Sequence, residues 1–238
     1  MAEESLLKVN KSKQEKVVDG LVEKSRPTSP YNLLLIFSAI IVSSGILMDN
    51  APIVIGGMLV TPMLTPILAM VLGISIGELP LVNRSAKITL RSVLTVIIVS
   101  LVFGFLFPDG MASNNFVASI KPNILYVVVA LISGAAATFA WTNDDINEAL
   151  PGVAVSISVV PPLAVLGIGL SSLSSEMIRS SFVIFTLNFL GIIMGSLLVF
   201  SLQQFYKAKL EAHKQVEEEI KFEEKIKKEK ERKKDGNE

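Results

Sequence analysis

The sequence predicts an all-α, polytopic transmembrane helix bundle. Half of its 238 residues are hydrophobic, and the apolar residues fall in runs close to the length that crosses a ~30 Å hydrocarbon core. The formal net charge is zero, and almost every charged residue lies in the two terminal segments or in short loops. No basic folded surface of the kind that nucleic acid needs is present, so we expect no nucleic-acid partner.

Residues 1–30 form a polar, lysine-bearing segment before the first apolar run. A secretory signal would carry its apolar core much nearer the start, so we expect an uncleaved cytoplasmic amino tail. We expect the tail to be loosely ordered. The alternative is a short amphipathic helix that ends at Asp19 and Gly20.

Six membrane spans are predicted, at residues 31–48, 51–76, 88–107, 123–141, 149–170 and 177–205. Asp49 and Asn50 make a very tight turn between the first two spans. Residues 108–122 form a turn-rich external loop, and Trp141 is expected to be an anchor at the membrane interface. A basic loop is predicted before the third span, from four polar residues: Asn83, Arg84, Lys87 and Arg91.

The lysines and arginines predict the topology. Six lie in the amino tail, three in the loop before the third span and eleven after residue 205, whereas Lys121 and Arg179 stand alone in the loops of the other side. Because cations concentrate on the cytoplasmic side, both termini of this multi-pass protein of the cell membrane are predicted to be cytoplasmic.

Prolines in the second and fifth spans predict two broken helices, at Pro62 with Pro66 and at Pro161 with Pro162. The spacing from Pro52 to Pro62 also equals that from residue 151 to residue 161. The second span of each half therefore carries the break, and three spans per half make the second half enter from the opposite side. Residues 31–107 and 123–205 are predicted to form a 3+3 inverted repeat, a layout of secondary transporters.

Neutral oxygens next to these prolines form the candidate pathway for a substrate or ion. Thr61 and Thr65 stand four residues apart on one helical face, where a dehydrated cation or polar solute would find oxygen ligands. An ordinary kinked helix whose hydroxyls bond its own carbonyls is an equal alternative. Asn188 is either a substrate contact or a link between helices. The candidate pathway residues are Thr61, Pro62, Thr65, Pro66, Ser158, Pro161, Pro162 and Asn188.

Asp49, Asp144 and Asp145 at the ends of spans are candidates for an electrostatic vestibule for cations. The alternative is that they cap helices and remain in water. The chain has no cysteine and a single histidine, His213 in the charged tail, so we expect no metal site, no cofactor and no enzyme activity. No titratable group lies at the predicted midplane, which disfavours proton coupling.

Residues 206–238 are almost uninterruptedly charged, with Glu and Lys three or four residues apart. We expect a charged cytoplasmic helical tail in water, with a subunit-joining coiled coil as the alternative. The glycine pairs 73/77 and 191/195 have the spacing of helix-packing motifs, within or between subunits.

Three segments resemble a family of prokaryotic membrane proteins with a conserved hydrophobic domain of unknown function. They are IGGMLVTPMLTPILAMVLGISIG, LPGVAVSISVVPPLAVLGIGL and FTLNFLGII, and the resemblance covers roughly residues 31–203. It implies the membrane location and a shared fold. Many relatives are similar in this region and carry an additional soluble domain before it.

Together these patterns favour a transporter or channel for a small solute or ion, acting as a homo-oligomer in the lipid bilayer. The alternative is a membrane scaffold or sensor that transports nothing and recruits a partner through the charged carboxyl tail.

Overall fold

The computed structural model describes residues 11–108, 123–143 and 149–205, with side chains for 13–108, 123–143 and 159–205. Those residues form eight α-helices and no strand. The helices are α1 (Lys11–Lys24), α2 (Ser29–Leu47), α3 (Ala51–Val60), α4 (Leu64–Ile76), α5 (Leu79–Leu106), α6 (Ile124–Trp141), α7 (Ala149–Ser171) and α8 (Ser175–Leu202).

Helix α1 corrects the expectation for the amino tail. Residues 11–24 form a helix that continues through Asp19 and Gly20, and its apolar face is buried against the bundle. Val18 and Leu21 are fully buried, as expected for residues three apart on one helical face. The expectation of a loosely ordered tail is therefore wrong for this segment.

The first hairpin, α2–α3, forms as the sequence predicts. Thr28 caps α2 by accepting a hydrogen bond from the Tyr31 amide at 3.3 Å. Asn50 caps α3 in the same way, accepting from the Ile53 amide at 3.2 Å. Asp49 supplies the tight turn with a left-handed φ of 50°.

The second predicted span is broken, as expected. Helices α3 and α4 are separated by three residues and meet at an angle of 58°. Helix α4 ends at Gly77, whose φ of 70° is readily adopted only by glycine and allows the immediate turn into α5.

Helix α5 corrects the predicted basic loop, because residues 79–91 belong to the helix. Lys87 and Arg91 are exposed on this part of α5, whereas the side chain of Arg84 is buried. The Arg84 guanidinium donates to the Val22 carbonyl of α1 at 3.4 Å, so a cation at this position does not require a loop.

Helix α7 corrects the prediction of a second broken helix. Pro161 and Pro162 lie inside one continuous helix, and both are buried. Two adjacent prolines remove two neighbouring backbone hydrogen bonds, and packing against α5, α8 and α2 holds the helix together across them.

Side-chain contacts fix the direction of the helices. The Tyr31 and Ser92 hydroxyl oxygens are 2.7 Å apart, and those of Ser43 and Ser100 are 2.8 Å apart, so α2 and α5 run the same way. Ser196 donates to the Gly134 carbonyl at 3.1 Å and Gln203 to the Thr142 hydroxyl at 2.8 Å, so α6 and α8 are also parallel.

Glycine contacts complete the arrangement. A Cβ at Gly167 would meet the Ser100 side chain of α5, and one at Gly104 would meet Ser171 of α7, so α5 and α7 are parallel. A Cβ at Gly169 would meet Met177 across the α7–α8 hairpin. Helices α2, α5 and α7 therefore run in one direction, and α3, α6 and α8 run in the other. We call the end where α2 begins and α8 ends the α1 end, because α1 packs there, and the other end the far end.

The bundle has a mainly apolar core that contains buried hydroxyls, and its outer surface is apolar. Buried hydroxyls line the interior of α5, whereas Leu90, Leu94 and Ile98 on its other face are about half exposed. Within the described residues, four helices are long and apolar enough to cross a membrane, and the bent α3–α4 pair would be a fifth. An apolar outer surface of this extent needs lipid around it.

Candidate functional site

The break between α3 and α4 is the centre of the candidate site. Thr61 is extended, with φ −72° and ψ 131°, which is the conformation favoured for a residue that precedes a proline. Pro62 and Met63 complete the break before α4 begins at Leu64. Pro66 is the third residue of α4, where a backbone N–H would have no acceptor within the helix, so it does not disturb α4.

The two threonines at the break have different surroundings. The Thr65 hydroxyl lies 3.3 Å from the carbonyl oxygen of Pro62 and 3.3 Å from that of Lys24 in α1. The contact between the Thr65 hydroxyl and the Pro62 carbonyl agrees with the alternative interpretation, an ordinary kinked helix whose hydroxyls bond its own carbonyls. The contact with Lys24 does not belong to that interpretation. The buried Thr61 hydroxyl oxygen has no hydrogen-bond partner within the part of the chain that the structure describes. A buried hydroxyl in this state is ready to bind a polar ligand or water.

The candidates in the second half lie at a similar depth. Pro161 and Pro162 are buried in α7, and Asn188 is buried in α8 with 2% of its surface exposed. Counting along the helices from the contacts above places Thr61, Pro161 and Asn188 within roughly 10 Å of one another along the bundle axis. The side chain of Ser158 lies outside the described residues.

Of the three aspartates predicted to form a vestibule, only Asp49 lies within the described residues. Asp49 is exposed in the α2–α3 turn at the far end, whereas α6 ends at the α1 end, shortly before residue 144. Asp144 and Asp145 themselves lie outside the described residues. Among the residues that the structure describes, no three His, Cys, Asp or Glu side chains are grouped so that they can hold a metal ion.

A cavity of about 540 Å³ opens at the far end, beside the start of α8. Glu176 and Arg179, one charge of each sign, contribute to its walls together with Ser175, Ser180 and Val183. The sequence did not predict this cavity, and Arg179 entered the prediction only as one of two cations in the loops of this side.

Three contacts between helices were not predicted from the sequence. Tyr31 and Ser92 join α2 to α5, and Ser43 and Ser100 do so about two turns further along α5 and three along α2. Helix α1 covers Trp141. Trp141 is buried rather than placed at a lipid interface, which corrects the expectation of a membrane anchor. The signal for the first two was present in the polar residues of α5, which repeat on one face at positions 85, 89, 92 and 100.

Apolar surfaces outside, hydroxyls inside and a helix broken within the bundle define a multi-pass helical membrane protein. The chain belongs to the family described as Domain of unknown function (DUF389), whose model matches residues 58–194, more than half of the chain. The matched region begins in α3, contains the break and both pairs of prolines, and ends within α8. Helix α1 lies outside it.

The chain is also similar to an archaeal protein. The chain is 28% identical over 169 residues to an uncharacterized protein, MJ0678, of the archaeon Methanocaldococcus jannaschii. The match covers 71% of this chain and 52% of the relative, so the chain spans about half the length of the curated relative that it matches. No solved structure matches the chain.

Proposed function

We propose that the chain is a transporter or channel for a small solute or ion, with six membrane crossings in a 3+3 inverted repeat. The pathway runs past the α3–α4 break and the Pro161–Pro162 segment of α7. The observation that carries the proposal is the break itself, which leaves the buried Thr61 hydroxyl without a hydrogen-bond partner among the described residues. Irregular backbone at membrane depth is tolerated where it is buried in protein or lines a polar cavity.

A constant offset of 96 residues supports the repeat. Helices α5 (79–106) and α8 (175–202) have 28 residues each, and 175 − 79 = 202 − 106 = 96. The turns that precede them match bond for bond. The amide of residue 78 donates to the carbonyl of residue 73 at 2.8 Å, and the amide of residue 174 donates to that of residue 169 at 3.0 Å.

Buried hydroxyls follow the same offset. Ser85 and Ser181 are 96 residues apart, fully buried, and have no side-chain hydrogen bond within the described chain. Ser100 and Ser196 are also 96 residues apart, are fully buried, and join the first and third helices of their halves. Equivalent side chains at equivalent contacts are expected if the two halves share one fold.

The helix directions support an inverted rather than a direct repeat. In the first half the parallel pair α2 and α5 starts at the α1 end, whereas in the second half the parallel pair α6 and α8 ends there. Inverted repeats of this kind place their substrate sites near the bilayer midplane, between broken helices.

The offset also refines which prolines correspond. Adding 96 to 66 gives 162, so Pro66 corresponds to Pro162, and Thr65 corresponds to Pro161. This pairing replaces the one based on Pro52 and Pro151. At these two positions the second half has two proline rings, whereas the first half has the Thr65 hydroxyl and the Pro66 ring. The hydroxyl at these positions therefore lies on the α4 side of the pathway.

Flux through proteoliposomes tests the proposal. Purified protein should release solutes or ions from a broad panel, and Thr61→Val should reduce the rate about five- to 150-fold, since one lost buried hydrogen bond is worth on the order of 1–3 kcal/mol. Thr95→Val is the matched control, because the Thr95 hydroxyl bonds the Arg91 carbonyl of its own helix. Vesicles that stay sealed across the panel, or equal effects of both variants, would contradict the proposal.

The membrane topology has its own test. We propose that both termini are cytoplasmic, since the charge pattern favours this and α1 meets the end of α8 on one side. The chain has no cysteine, so single cysteines at Lys16 and Ser172 give clean labels at the α1 end and the far end. Only Lys16→Cys should resist an impermeant thiol reagent added to whole cells.

The assembly and the alternative role are proposals as well. We propose a homo-oligomer, although the Gly191–Gly195 stripe packs on α6 within the chain and is not available to a second subunit. Removing residues 207–238 separates a transporter from a scaffold. Flux that survives the removal favours the transporter, and a lost partner without any flux favours the scaffold. We also propose that the chain is not an enzyme.

A further inference from the structure

Helix α1 packs across the α1 end of the bundle. Its buried side chains include Val18 and Leu21, both fully inaccessible, while Lys16 and Glu23 on the opposite face are exposed. The helix is therefore held by an apolar face of its own and is not merely tethered to α2.

Polar contacts join α1 to the ends of α8 and α5. The Gln14 side-chain amide donates to the Gln203 carbonyl of α8 at 3.1 Å. The Arg84 guanidinium of α5 donates to the Val22 carbonyl at 3.4 Å. In each contact the acceptor is a backbone carbonyl, which cannot move independently of its helix. The two contacts therefore fix the position of α1 relative to the bundle.

The last turn of α1 contacts α6 and α4. The Lys24 ammonium lies 4.6 Å from the centre of the Trp141 ring, which is within the range of a cation–π interaction, and a Cβ at Gly20 would meet the same ring at 3.3 Å. The Lys24 carbonyl accepts from the Thr65 hydroxyl in the first turn of α4. The end of α1 thus stands directly against the break.

We propose that α1 acts as a latch on the α3–α4 break. While α1 is docked, the break stays closed toward the α1 end, and α1 must undock before the break can open there. The inference rests on the pathway proposed above. Thr65 is one of the pathway residues. In the docked state its half-buried side chain lies beside α1, and its hydroxyl is 3.3 Å from the Lys24 carbonyl as well as from the Pro62 carbonyl.

The size of α1 suits a latch that opens reversibly. A helix of 14 residues is only marginally stable by itself in water, so its docked face provides most of its stability. Segments with one small packed face open locally at a fraction of the cost of unfolding the whole protein. Four residues, 25–28, connect α1 to α2, so α1 can move while the bundle stays in place.

Thiol labelling tests the latch without any need for transport. Thr65→Cys introduces the single thiol in this cysteine-free chain. Its rate of reaction with a charged maleimide is measured in vesicles in which the reagent reaches the α1 end of the protein. Val18→Ser with Leu21→Ser should undock α1 and raise the labelling rate at least about tenfold, because burial of two aliphatic side chains is lost. Lys16→Ser with Glu23→Ser is the matched control, with two serines on the exposed face and the same net charge.

The outcomes separate the two proposals. A tenfold rise with the buried-face pair and none with the exposed-face pair supports the latch. Equal labelling in all proteins overturns it, even where flux is measured. If labelling rises while vesicles remain sealed, the pathway fails and the latch stands. Gln14→Ala with Lys24→Ala, which removes only polar contacts, provides a second undocking variant that should change labelling in the same direction. A Ser172→Cys label at the far end should not respond to any of these changes.

Discussion

Gly77 and Leu173 occupy equivalent turns 96 residues apart, and both have left-handed backbones, with φ of 70° and 54°. The turns share their hydrogen bonds, but only one has glycine. A left-handed conformation costs a residue with a Cβ roughly 1–2 kcal/mol. The second half of the chain therefore carries a local strain that the first half avoids.

Leu173→Gly is expected to stabilise the protein by up to about 1 kcal/mol, since the relief of strain exceeds the added freedom of the unfolded chain. The leucine side chain is 83% exposed, so little packing is lost. Gly77→Leu should destabilise by about 1–2 kcal/mol. Thermal unfolding in detergent micelles measures both, and a lower melting temperature for Leu173→Gly would contradict the argument.

Gly195→Ala is expected to destabilise the bundle by several kcal/mol. A Cβ at this position would overlap the Leu131 carbonyl oxygen of α6, and backbone cannot move away cheaply. Gly56→Ala is the matched control, because a Cβ there meets nothing within 4 Å. Since alanine favours helix over glycine by about 1 kcal/mol, the control should be neutral or slightly stabilising in the same unfolding assay.

Tyr31→Phe and Ser92→Ala should each weaken the contact between α2 and α5. Their hydroxyl oxygens are 2.7 Å apart in the buried interior. In a double-mutant cycle we expect a coupling energy of about 0.6–1.7 kcal/mol, the range for hydrogen bonds between membrane helices. Denaturation in mixed micelles gives the four stabilities, and strictly additive effects would show that the two groups do not interact.

Ile98→Asp should prevent efficient insertion of α5 into a membrane. Ile98 is 59% exposed on the apolar outer face, and a carboxylate at the centre of a spanning helix costs about 2.5–3.5 kcal/mol. Lys87→Asp, on the same helix near the α1 end, is the control and should insert normally. The yield of membrane-embedded protein is the measurement. Equal yields would indicate that this face of α5 does not contact lipid.

Much of the bundle was predictable because length and hydropathy decide which segments fill a bilayer. The predicted spans at 31–48, 123–141 and 149–170 agree with α2, α6 and α7 within two residues. The break at Pro62 was also predictable, since a proline forces the preceding residue, Thr61, out of the helical conformation.

The errors occurred where packing overrides local pattern. The charges of residues 84–91 indicated a loop, yet they lie on a helix. Lys87 and Arg91 are exposed, whereas Arg84 lies on the face that packs on α4 and α1. Pro161 and Pro162 indicated a break, yet neighbouring helices keep α7 continuous. The apolar face of α1 was visible in the sequence at Val17, Val18, Leu21 and Val22, but the lysines on either side of this stretch favoured a solvated tail.

The hydroxyls inside the bundle have a consequence for motion. Ser92 is 2.7 Å from its partner on α2 and also 2.9 Å from the Ile88 carbonyl of its own helix. Ser43 has the same choice, with the Ala39 carbonyl at 2.6 Å. If α2 slides past α5, each serine keeps its bond to the carbonyl one turn back, whereas the Tyr31 hydroxyl loses its partner at Ser92. The two serines therefore add little resistance to sliding, which is resisted by the Tyr31–Ser92 contact and by the shape of the packed surfaces.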